Sequence, residues 1–218
     1  MMLKASVIIP AYNEERRLGS VLGRIPPGYE VIVVDDGSQD ATAAIARRCG
    51  ARVIRLKKNT GKMRACMEGA KRSRTGACIF LDGDGQHFPE DIPRIAAALE
   101  KADMVIGVRS MRALPVQRKL SNWYARQMIM FLSGRSFPDV LSGFRGVQKK
   151  KLAQLMFEKD GYFFESEMDL KAAQAGFSIR FVPIRVSYEY GANMGMSKSL
   201  EIAVWLLVLC MKKLAGFR

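Results

Sequence analysis

The first half of the chain alternates short apolar runs with segments of helical periodicity. Apolar runs rich in β-branched residues predict strands at residues 6–10, 31–36, 52–56, 77–81 and 104–108. Between them, apolar residues recur at spacings of three and four, which predicts helices at residues 14–22, 41–49, 63–72 and 89–99. This order predicts an α/β fold in which a mainly parallel central sheet is flanked by helices. Ligands of such sheets bind at the carboxyl ends of the strands, so we expect a functional site in the loops that follow them.

The loops after the first four strands are polar. They read Pro10-Ala11-Tyr12-Asn13-Glu14, Asp35-Asp36-Gly37-Ser38-Gln39-Asp40, Asn59-Thr60-Gly61-Lys62 and Asp82-Gly83-Asp84-Gly85-Gln86-His87. The ring of Tyr12 can stack on a base, and the carboxylates of Glu14 and Asp36 can accept hydrogen bonds from a nucleoside. Lys62 can neutralise phosphate. Simpler explanations also fit, because Glu14 suits the first turn of a helix and Lys62 suits a solvated surface.

The loop after the fourth strand carries two carboxylates, Asp82 and Asp84, on either side of Gly83. Alternate side chains of a strand face opposite ways, but a turn at the glycine can bring both acids to one cation. Such ligands suit Mg²⁺ or Mn²⁺, which are commonly held by one or two carboxylates together with substrate phosphates. The pair alone also fits an ordinary polar turn, so its interpretation depends on the neighbouring loops.

Three other kinds of metal or phosphate site do not fit these loops. An EF-hand needs a third Asp or Asn and a glycine where Gln86 and His87 stand. A dinucleotide-binding fold needs G-x-G-x-x-G directly after the first strand. A P-loop needs G-x-x-x-x-G-K-[ST], but Leu56 and Met63 occupy its first glycine and its Ser/Thr position.

Composition limits the partners and the compartment. At 218 residues the chain is long enough for one domain with a C-terminal appendage. Its 35 basic and 21 acidic residues give a net charge of +14, which suits nucleic acid, nucleotide diphosphates or an anionic membrane surface. The four cysteines form no CxxC pair and no signal peptide is predicted, so we expect reduced thiols and a cytosolic location.

Two later segments have the character of membrane-facing helices. Residues 117–133 place aromatic and apolar side chains near one helical face beside several cations, as expected of an interfacial helix or of a core helix. Residues 202–211 are apolar on all sides and are followed by two lysines. This run is well short of the ~20 residues of a membrane span. We therefore expect it to lie on a membrane or on a protein partner.

The four loop motifs, in this order, resemble those of family 2 glycosyltransferases with the GT-A fold. Later motifs resemble those of dolichyl-phosphate mannosyltransferases and related polyprenyl-phosphate glycosyltransferases. These are Gly107-Val108-Arg109, Arg118-Lys119-Leu120-Ser121, Asp139-Val140-Leu141-Ser142-Gly143-Phe144-Arg145 and Gly195-Met196-Ser197-Lys198. The resemblance implies metal-dependent, inverting transfer of a hexose from a nucleotide diphosphate sugar to a polyprenyl phosphate at an anionic membrane surface.

The resemblance also implies a domain division and a set of site residues. A GT-A catalytic domain would cover residues 1–198, with an interfacial helix at 117–133, and a C-terminal helix would cover 199–218. The implied metal is Mg²⁺ or Mn²⁺, bound by Asp82, Asp84 and Gln86. Implied contacts with the nucleotide sugar come from Pro10, Tyr12, Glu14, Asp36, Lys62, Asp82 and Arg109, those with the acceptor phosphate come from Arg118, Ser121 and Arg145, and the implied catalytic residues are Asp84, Arg118 and Lys198.

Some features leave the donor and the acceptor open. Ala192 stands where those mannosyltransferases often have an arginine six residues before the lysine, which leaves both a GDP-mannose and a UDP-glucose type of donor open. Arg145 offers a compensating charge, with a structural role on a strand as the alternative. A hydroxyl acceptor, as in polysaccharide or cell-envelope synthesis, would require a carboxylate base, for which Asp139 is a candidate. Glu165 and Glu167 are expected only to stabilise a helix N-terminus.

Two other functions fit less of the sequence. A processive polysaccharide synthase shares the early motifs but typically adds a Gln-x-x-Arg-Trp signature and a transmembrane channel, neither of which is found in these residues. A non-catalytic basic module for RNA or membrane binding has no use for Asp82 and Asp84 beside Tyr12 and Lys62. We therefore expect a glycosyltransferase that is peripheral on the cytoplasmic face of a membrane and has no nucleic-acid partner.

Overall fold

The computed structural model describes residues 4–111, 114–157, 164–187 and 196–215, the last with side chains from Leu200 onward. The strands are β1 (Ala5–Ala11), β2 (Glu30–Asp35), β3 (Arg52–Arg55), β4 (Ala77–Phe80), β5 (Met104–Arg109), β6 (Arg145–Gln148) and β7 (Ile179–Ile184). The helices are α1 (Leu18–Gly23), α2 (Thr42–Arg48), α3 (Lys62–Arg72), α4 (Ile92–Leu99), α5 (Val116–Ser133), α6 (Lys149–Leu152), α7 (Phe164–Gln174) and α8 (Met196–Leu214).

These strands form one seven-stranded sheet in the order β3-β2-β1-β4-β6-β5-β7. Strand β6 runs antiparallel to β4 and β5, and the other neighbouring strands are parallel. The five predicted strands and the mainly parallel sheet are therefore confirmed. No bounds were predicted for β6 and β7. Strand β6 contains Arg145 and Gly146 in place of an apolar run, although a strand position for Arg145 was one of the two alternatives.

A hydrophobic core covers each face of the sheet, because successive side chains of a strand point to opposite faces. On β1, Ile8 belongs to one core, while Val7 and Ile9 belong to the other. Helices α3, α5, α7 and α8 pack on the first face, and α1, α2 and α4 pack on the second. The sheet is thus covered on both sides, and its carboxyl edge remains available to a ligand.

Helix α1 begins four residues later than its periodicity predicts. The backbone of Asn13 has a φ of 55°, in the left-handed region, and the N–H groups of Arg17 and Leu18 donate to the carbonyl oxygen of Glu14. Residues 14–17 therefore form a turn that keeps Glu14 in the loop after β1. The predicted helix at 89–99 also begins with a single 3₁₀ turn at Pro89–Asp91.

Helices α5 and α8 run side by side in the same direction. The Tyr124 hydroxyl donates to the carbonyl oxygen of Ala203. Further towards the C-terminal end of both helices, the Lys213 ammonium donates to the carbonyl oxygen of Phe131. One face of α8 is buried through Ile202, Leu206 and Cys210, and the opposite face is exposed. The C-terminal helix starts at Met196, three residues before its predicted boundary. No helix within the described ranges has both the length and the hydrophobicity that a membrane span requires.

Candidate active site

A cleft of about 450 Å³ lies at the carboxyl ends of β1, β2 and β4. Its walls come from the loops after these strands, from the loop after β3, from the loop before β6, from the first turns of α5 and α7, and from Ile202 in the second turn of α8. Of the predicted residues, Pro10, Tyr12, Glu14, Asp36, Lys62, Asp82, Asp84, Gln86, Arg109 and Arg118 line this cleft. Residues that are far apart in the sequence thus meet where the alternation of strands and helices predicted a site.

The loops after β1 and β2 are joined by hydrogen bonds. The N–H of Asn13 donates to Ser38 Oγ over 3.0 Å, and the N–H of Gln39 donates back to Asn13 Oδ1 over 3.0 Å. The N–H of Glu14 donates to Thr42 Oγ1 over 2.8 Å. These contacts satisfy backbone groups of a loop that has no sheet partner there.

Tyr12 and Glu14 present their side chains to the cleft from this joined pair of loops. Tyr12 is 44% exposed, which leaves its ring accessible to a stacking partner. Burial raises the pKa of Glu14, and the guanidinium of Arg17, 3.5 Å away, opposes this effect. The negative charge of Asp84 raises the Glu14 pKa further, so the carboxylates of the cleft repel one another electrostatically.

Asp36 is buried and holds the loop after β3. Its Oδ1 accepts from both the N–H and the hydroxyl of Thr60 over 2.8 Å, and its Oδ2 accepts from the N–H of Gly61 over 2.8 Å. The adjacent Gly37 has a φ of +77°, and a Cβ there would lie 2.6 Å from the backbone of Lys58. Asp36 therefore shapes the cleft by fixing the loop that leads into Lys62, and its contact with a nucleoside stays a prediction.

Asp82 and Asp84 lie together in the cleft, as the turn at Gly83 predicts. Burial and the charge of Asp82 raise the pKa of Asp84, whose Oδ1 accepts from the N–H of Gln86 over 3.0 Å. Burial opposes ionisation of Asp82 as well, but the ammonium of Lys62 outweighs it and lowers the Asp82 pKa. Two carboxylates that repel each other at one point form a site that a cation would stabilise.

The donor set fits Mg²⁺ or Mn²⁺ bound jointly with a substrate. Within the described ranges, no group of three or more His, Cys, Asp or Glu side chains forms a complete metal cage. Mg²⁺ commonly binds through one or two carboxylates and completes its coordination with phosphate oxygens and water. Asp82 and Asp84 match that pattern. Gln86 Oε1 accepts from Arg118 Nη1 over 3.1 Å, so its predicted role as a metal ligand would require this contact to change.

Lys62 lies between two acids at the floor of the cleft. Its Nζ is 2.6 Å from Asp82 Oδ1 and 2.5 Å from Glu165 Oε1. Burial would lower the Lys62 pKa, but the two carboxylates outweigh it and raise that pKa, so the side chain stays protonated. A Cβ on Gly143 would collide with the Asp82 carboxylate and lie 2.9 Å from Lys62 Nζ, which explains the glycine at this position.

Arg145 requires a correction, because its guanidinium does not reach the cleft. The side chain is fully buried and forms an ion pair with Asp169. It also donates to the carbonyl oxygens of Val140, Ser142 and Glu165. The interpretation of Arg145 as an acceptor contact is thus replaced by its structural alternative. It fixes the loop before β6 to the start of α7.

Arg109 and Asp139 also pair with each other. Arg109 donates to both carboxylate oxygens of Asp139 over 2.7 Å, and Asp139 is fully buried. Asp139 is therefore not placed to act as a base, although Arg109 does border the cleft. Ser121 lines a smaller cavity between α5 and α8 instead of the cleft, and its hydroxyl donates to the carbonyl oxygen of Gln117. The side chain of Lys198 lies outside the described residues, as does Ala192.

Several residues of the cleft were not predicted as functional. They are Asn59, Gly61, His87, Leu141, Gly143, Glu165, Val186 and Ile202. His87 lies within the quoted acidic motif, and burial lowers its pKa to about 4, so the 3.9 Å approach of Nε2 to Asp82 is not an ion pair at neutral pH. Glu165 was assigned only to a helix N-terminus, because no local pattern reveals that Lys62 lies opposite it.

Comparison with known proteins identifies the family to which this chain is similar. Residues 6–156 match the family model described as glycosyl transferase family 2. The chain is 30% identical to polyprenol monophosphomannose synthase of Mycolicibacterium smegmatis, over 88% of this chain and 79% of that protein. It is also 30% identical to undecaprenyl-phosphate mannosyltransferase of Micrococcus luteus, over 84% of this chain and 83% of that protein.

A solved structure shows the same fold. Glucosyl-3-phosphoglycerate synthase from Mycobacterium tuberculosis, in complex with Mn²⁺, UDP and phosphoglyceric acid, superposes with a TM-score of 0.76 at 22% identity. The match covers 95% of this chain and 78% of that one. With the family match and the relatives above, the chain belongs to glycosyl transferase family 2 and is a glycosyltransferase with a GT-A fold.

Proposed function

We propose that the protein transfers a hexose from a nucleotide diphosphate sugar to a polyprenyl phosphate at a membrane surface. The observation that carries this proposal is the composition of the cleft. The acid pair and Lys62 line the same cleft as Arg118 of α5 and Ile202 of α8. One cavity therefore offers polar groups suited to a diphosphate and opens towards two helices with exposed apolar faces. Named relatives that act on polyprenyl phosphates support the same acceptor class.

Each group of residues in the cleft would have a separate role in the reaction. Tyr12 and Glu14 would hold the nucleoside, and Lys62 would meet the diphosphate. Mg²⁺ or Mn²⁺ bound by Asp82 and Asp84 would neutralise the charge that develops on the departing nucleoside diphosphate. The bond between the anomeric carbon and the diphosphate oxygen would break, with the nucleoside diphosphate as the leaving group. The acceptor oxygen would bond to the anomeric carbon from the opposite face, so the configuration would invert.

A phosphate acceptor suits this cleft better than a hydroxyl. A phosphate is already ionised at neutral pH, so it needs orientation and no strong base. Arg118 lies in the first turn of α5, where the helix N-terminus also favours an anion, and can orient it. A hydroxyl acceptor would need a carboxylate to take its proton, whereas Asp139 is paired with Arg109 and Glu165 with Lys62.

We propose that α5 and α8 rest on the membrane. Exposed apolar side chains line both helices, namely Val116, Leu120, Trp123, Met130 and Phe131 on α5 and Leu200, Val204, Leu207, Val208, Met211 and Leu214 on α8. On α8 they recur at spacings of three and four, which places them on one face. Lys212 and Lys213 lie at its end, where they can meet anionic headgroups. In this proposal residues 1–198 form the catalytic domain and α8 its membrane-facing appendage.

The experiment is a donor screen. GDP-mannose, UDP-glucose and UDP-N-acetylglucosamine are each incubated with a short polyprenyl phosphate, first after treatment with EDTA and then with Mn²⁺ or Mg²⁺ restored. The proposal expects a glycolipid from at least one donor, absent under EDTA and recovered with metal. Full activity in EDTA would refute the metal, and cleavage of a donor without glycolipid would refute the acceptor.

A further inference from the structure

The ammonium of Lys62 is bound to a carboxylate oxygen of Asp82 that a metal ion would use as a ligand. Asp82 Oδ1 is 2.6 Å from Lys62 Nζ, a distance typical of a strong charge-assisted hydrogen bond. The other oxygen of Asp82 lies against Gly143 and 3.9 Å from His87 Nε2. The Asp82 side chain is still 25% exposed to the cleft, so a cation that approaches it meets a carboxylate already bound by the Lys62 ammonium and must compete with it for Oδ1.

Glu165 is the second partner of the ammonium, and it is held independently of Asp82. The carbonyl oxygen of Glu165 accepts from Arg145 over 3.1 Å, and Arg145 is itself buried against Asp169. The Glu165 side chain is 11% exposed and makes a 2.5 Å contact with Lys62. Glu165 is thus placed to keep the charge of Lys62 paired if the ammonium leaves Asp82.

We propose that Lys62 is a resident counter-cation, which occupies Asp82 while the donor is absent and turns to Glu165 and the donor phosphates when metal and diphosphate bind together. A metal alone would have to displace an ammonium that two carboxylates hold. A metal that arrives with a diphosphate brings phosphate oxygens that replace the lost Asp82 contact. The metal site is therefore completed by the nucleotide, and Glu165 acts as a positioning residue for Lys62. This inference rests on the metal and donor sites of the proposed function.

Binding of Mn²⁺ alone, measured by electron paramagnetic resonance of the free ion, tests this exchange without sugar transfer. We expect Lys62→Met to bind Mn²⁺ alone roughly tenfold more tightly than the wild type, since one charge-assisted hydrogen bond no longer competes. With UDP or GDP present the order should reverse, because the variant lacks the phosphate contact. Lys62→Arg should resemble the wild type, and so should Lys71→Met, which removes the same charge from the exposed end of α3.

The change in Mn²⁺ affinity caused by Lys62→Met should have opposite signs with and without nucleotide. This reversal distinguishes the exchange of Lys62 between Asp82 and the phosphates from a general effect of charge. Loss of a nearby positive charge alone would tighten Mn²⁺ binding both with and without nucleotide. A Lys62→Met protein with a wild-type melting temperature that binds Mn²⁺ alone no more tightly than the wild type would overturn the inference, and Lys62→Gln serves as a second variant if methionine prevents folding. Such a result could occur beside normal transfer to polyprenyl phosphate, so the two proposals fail separately.

A double-variant comparison tests Glu165. Glu165→Gln should weaken the binding of Mn²⁺ alone, because the displaced ammonium would lose its remaining carboxylate. In the Lys62→Met background no ammonium is displaced, so Glu165→Gln should change the affinity by less than about threefold. Equal weakening in both backgrounds would mean that Glu165 binds the metal itself, and would overturn its role in holding Lys62.

Discussion

The donor loops after β1, β2, β3 and β4 are tied to one another by directional hydrogen bonds, whereas α5 and α8 meet mainly through apolar side chains and leave others exposed. Asp36, for example, holds the loop before α3 through three donors, while α8 is held mainly by the burial of Ile202 and Leu206. Hydrogen bonds fix atoms to within fractions of an ångström, as recognition of a nucleotide requires. Apolar contacts tolerate displacement, as a lipid chain requires.

Arg145 joins the loop before β6 to α7 through its buried ion pair with Asp169, and its removal should have the largest effect. Arg145→Met leaves Asp169 buried without a partner, so we expect the free energy of unfolding to fall by about 3–5 kcal/mol. Chemical denaturation with urea measures this loss, and Arg180→Met on the exposed part of β7 is the matched control. If Arg145→Met instead kept full stability and lost only affinity for the acceptor, the cation would belong to the acceptor site after all.

Removal of one acid from the donor region should stop chemistry without unfolding the protein. Asp84→Asn abolishes one charge of the expected metal site, and we expect the rate of sugar transfer to fall by about 10²–10³-fold. The melting temperature should not fall, because the pKa of Asp84 is raised and its ionised form is therefore not stabilised by the fold. Glu68→Gln, in an exposed ion pair on α3, serves as the control. Wild-type activity of Asp84→Asn would remove this residue from the metal site.

Charges introduced on the exposed face of α8 should affect the lipid and spare the nucleotide. Leu207→Glu combined with Met211→Glu loses apolar burial and adds repulsion, so binding to vesicles that contain anionic lipid should weaken by about tenfold or more. Affinity for UDP or GDP should stay unchanged. Phe181→Glu changes an exposed aromatic residue of the edge strand β7, outside α5 and α8, and should bind vesicles normally. Equal vesicle binding by all three proteins would show that α8 is not a membrane element.

The thiols offer the mildest comparison of the two regions. Cys49 is exposed and should react with a maleimide faster than Cys66. Cys66 is a core residue of α3, and burial raises the pKa of its thiol well above the usual range. Cys210 is also buried, but it lies on α8, which packs through one face only and is expected to open locally at lower free energy. We expect the order Cys49, Cys210, Cys66 by mass spectrometry. Equal protection of the last two would indicate that both regions open together.

The sequence was most informative where structure is local. Five strands and the loops after them were predicted, because alternation and short polar motifs depend on neighbouring residues. The late start of α1 was missed, since it depends on the Asn13 turn and on a contact with Thr42. The ion pair of Arg145 with Asp169 and the contact of Glu165 with Lys62 join residues far apart in the chain. No periodicity encodes such pairs. Arg145, at the end of the motif of residues 139–145, was therefore predicted to contact the acceptor.

The cleft is proposed to transfer a sugar to a lipid phosphate. The direct measurement is a competition in which one active donor is offered polyprenyl phosphate, the matching polyprenol and 3-phosphoglycerate, with products separated by mass. We predict a glycosylated polyprenyl phosphate with its phosphate retained, and no comparable product from the other two acceptors. Preferred transfer to the polyprenol or to 3-phosphoglycerate would show that a polyprenyl phosphate is not the acceptor.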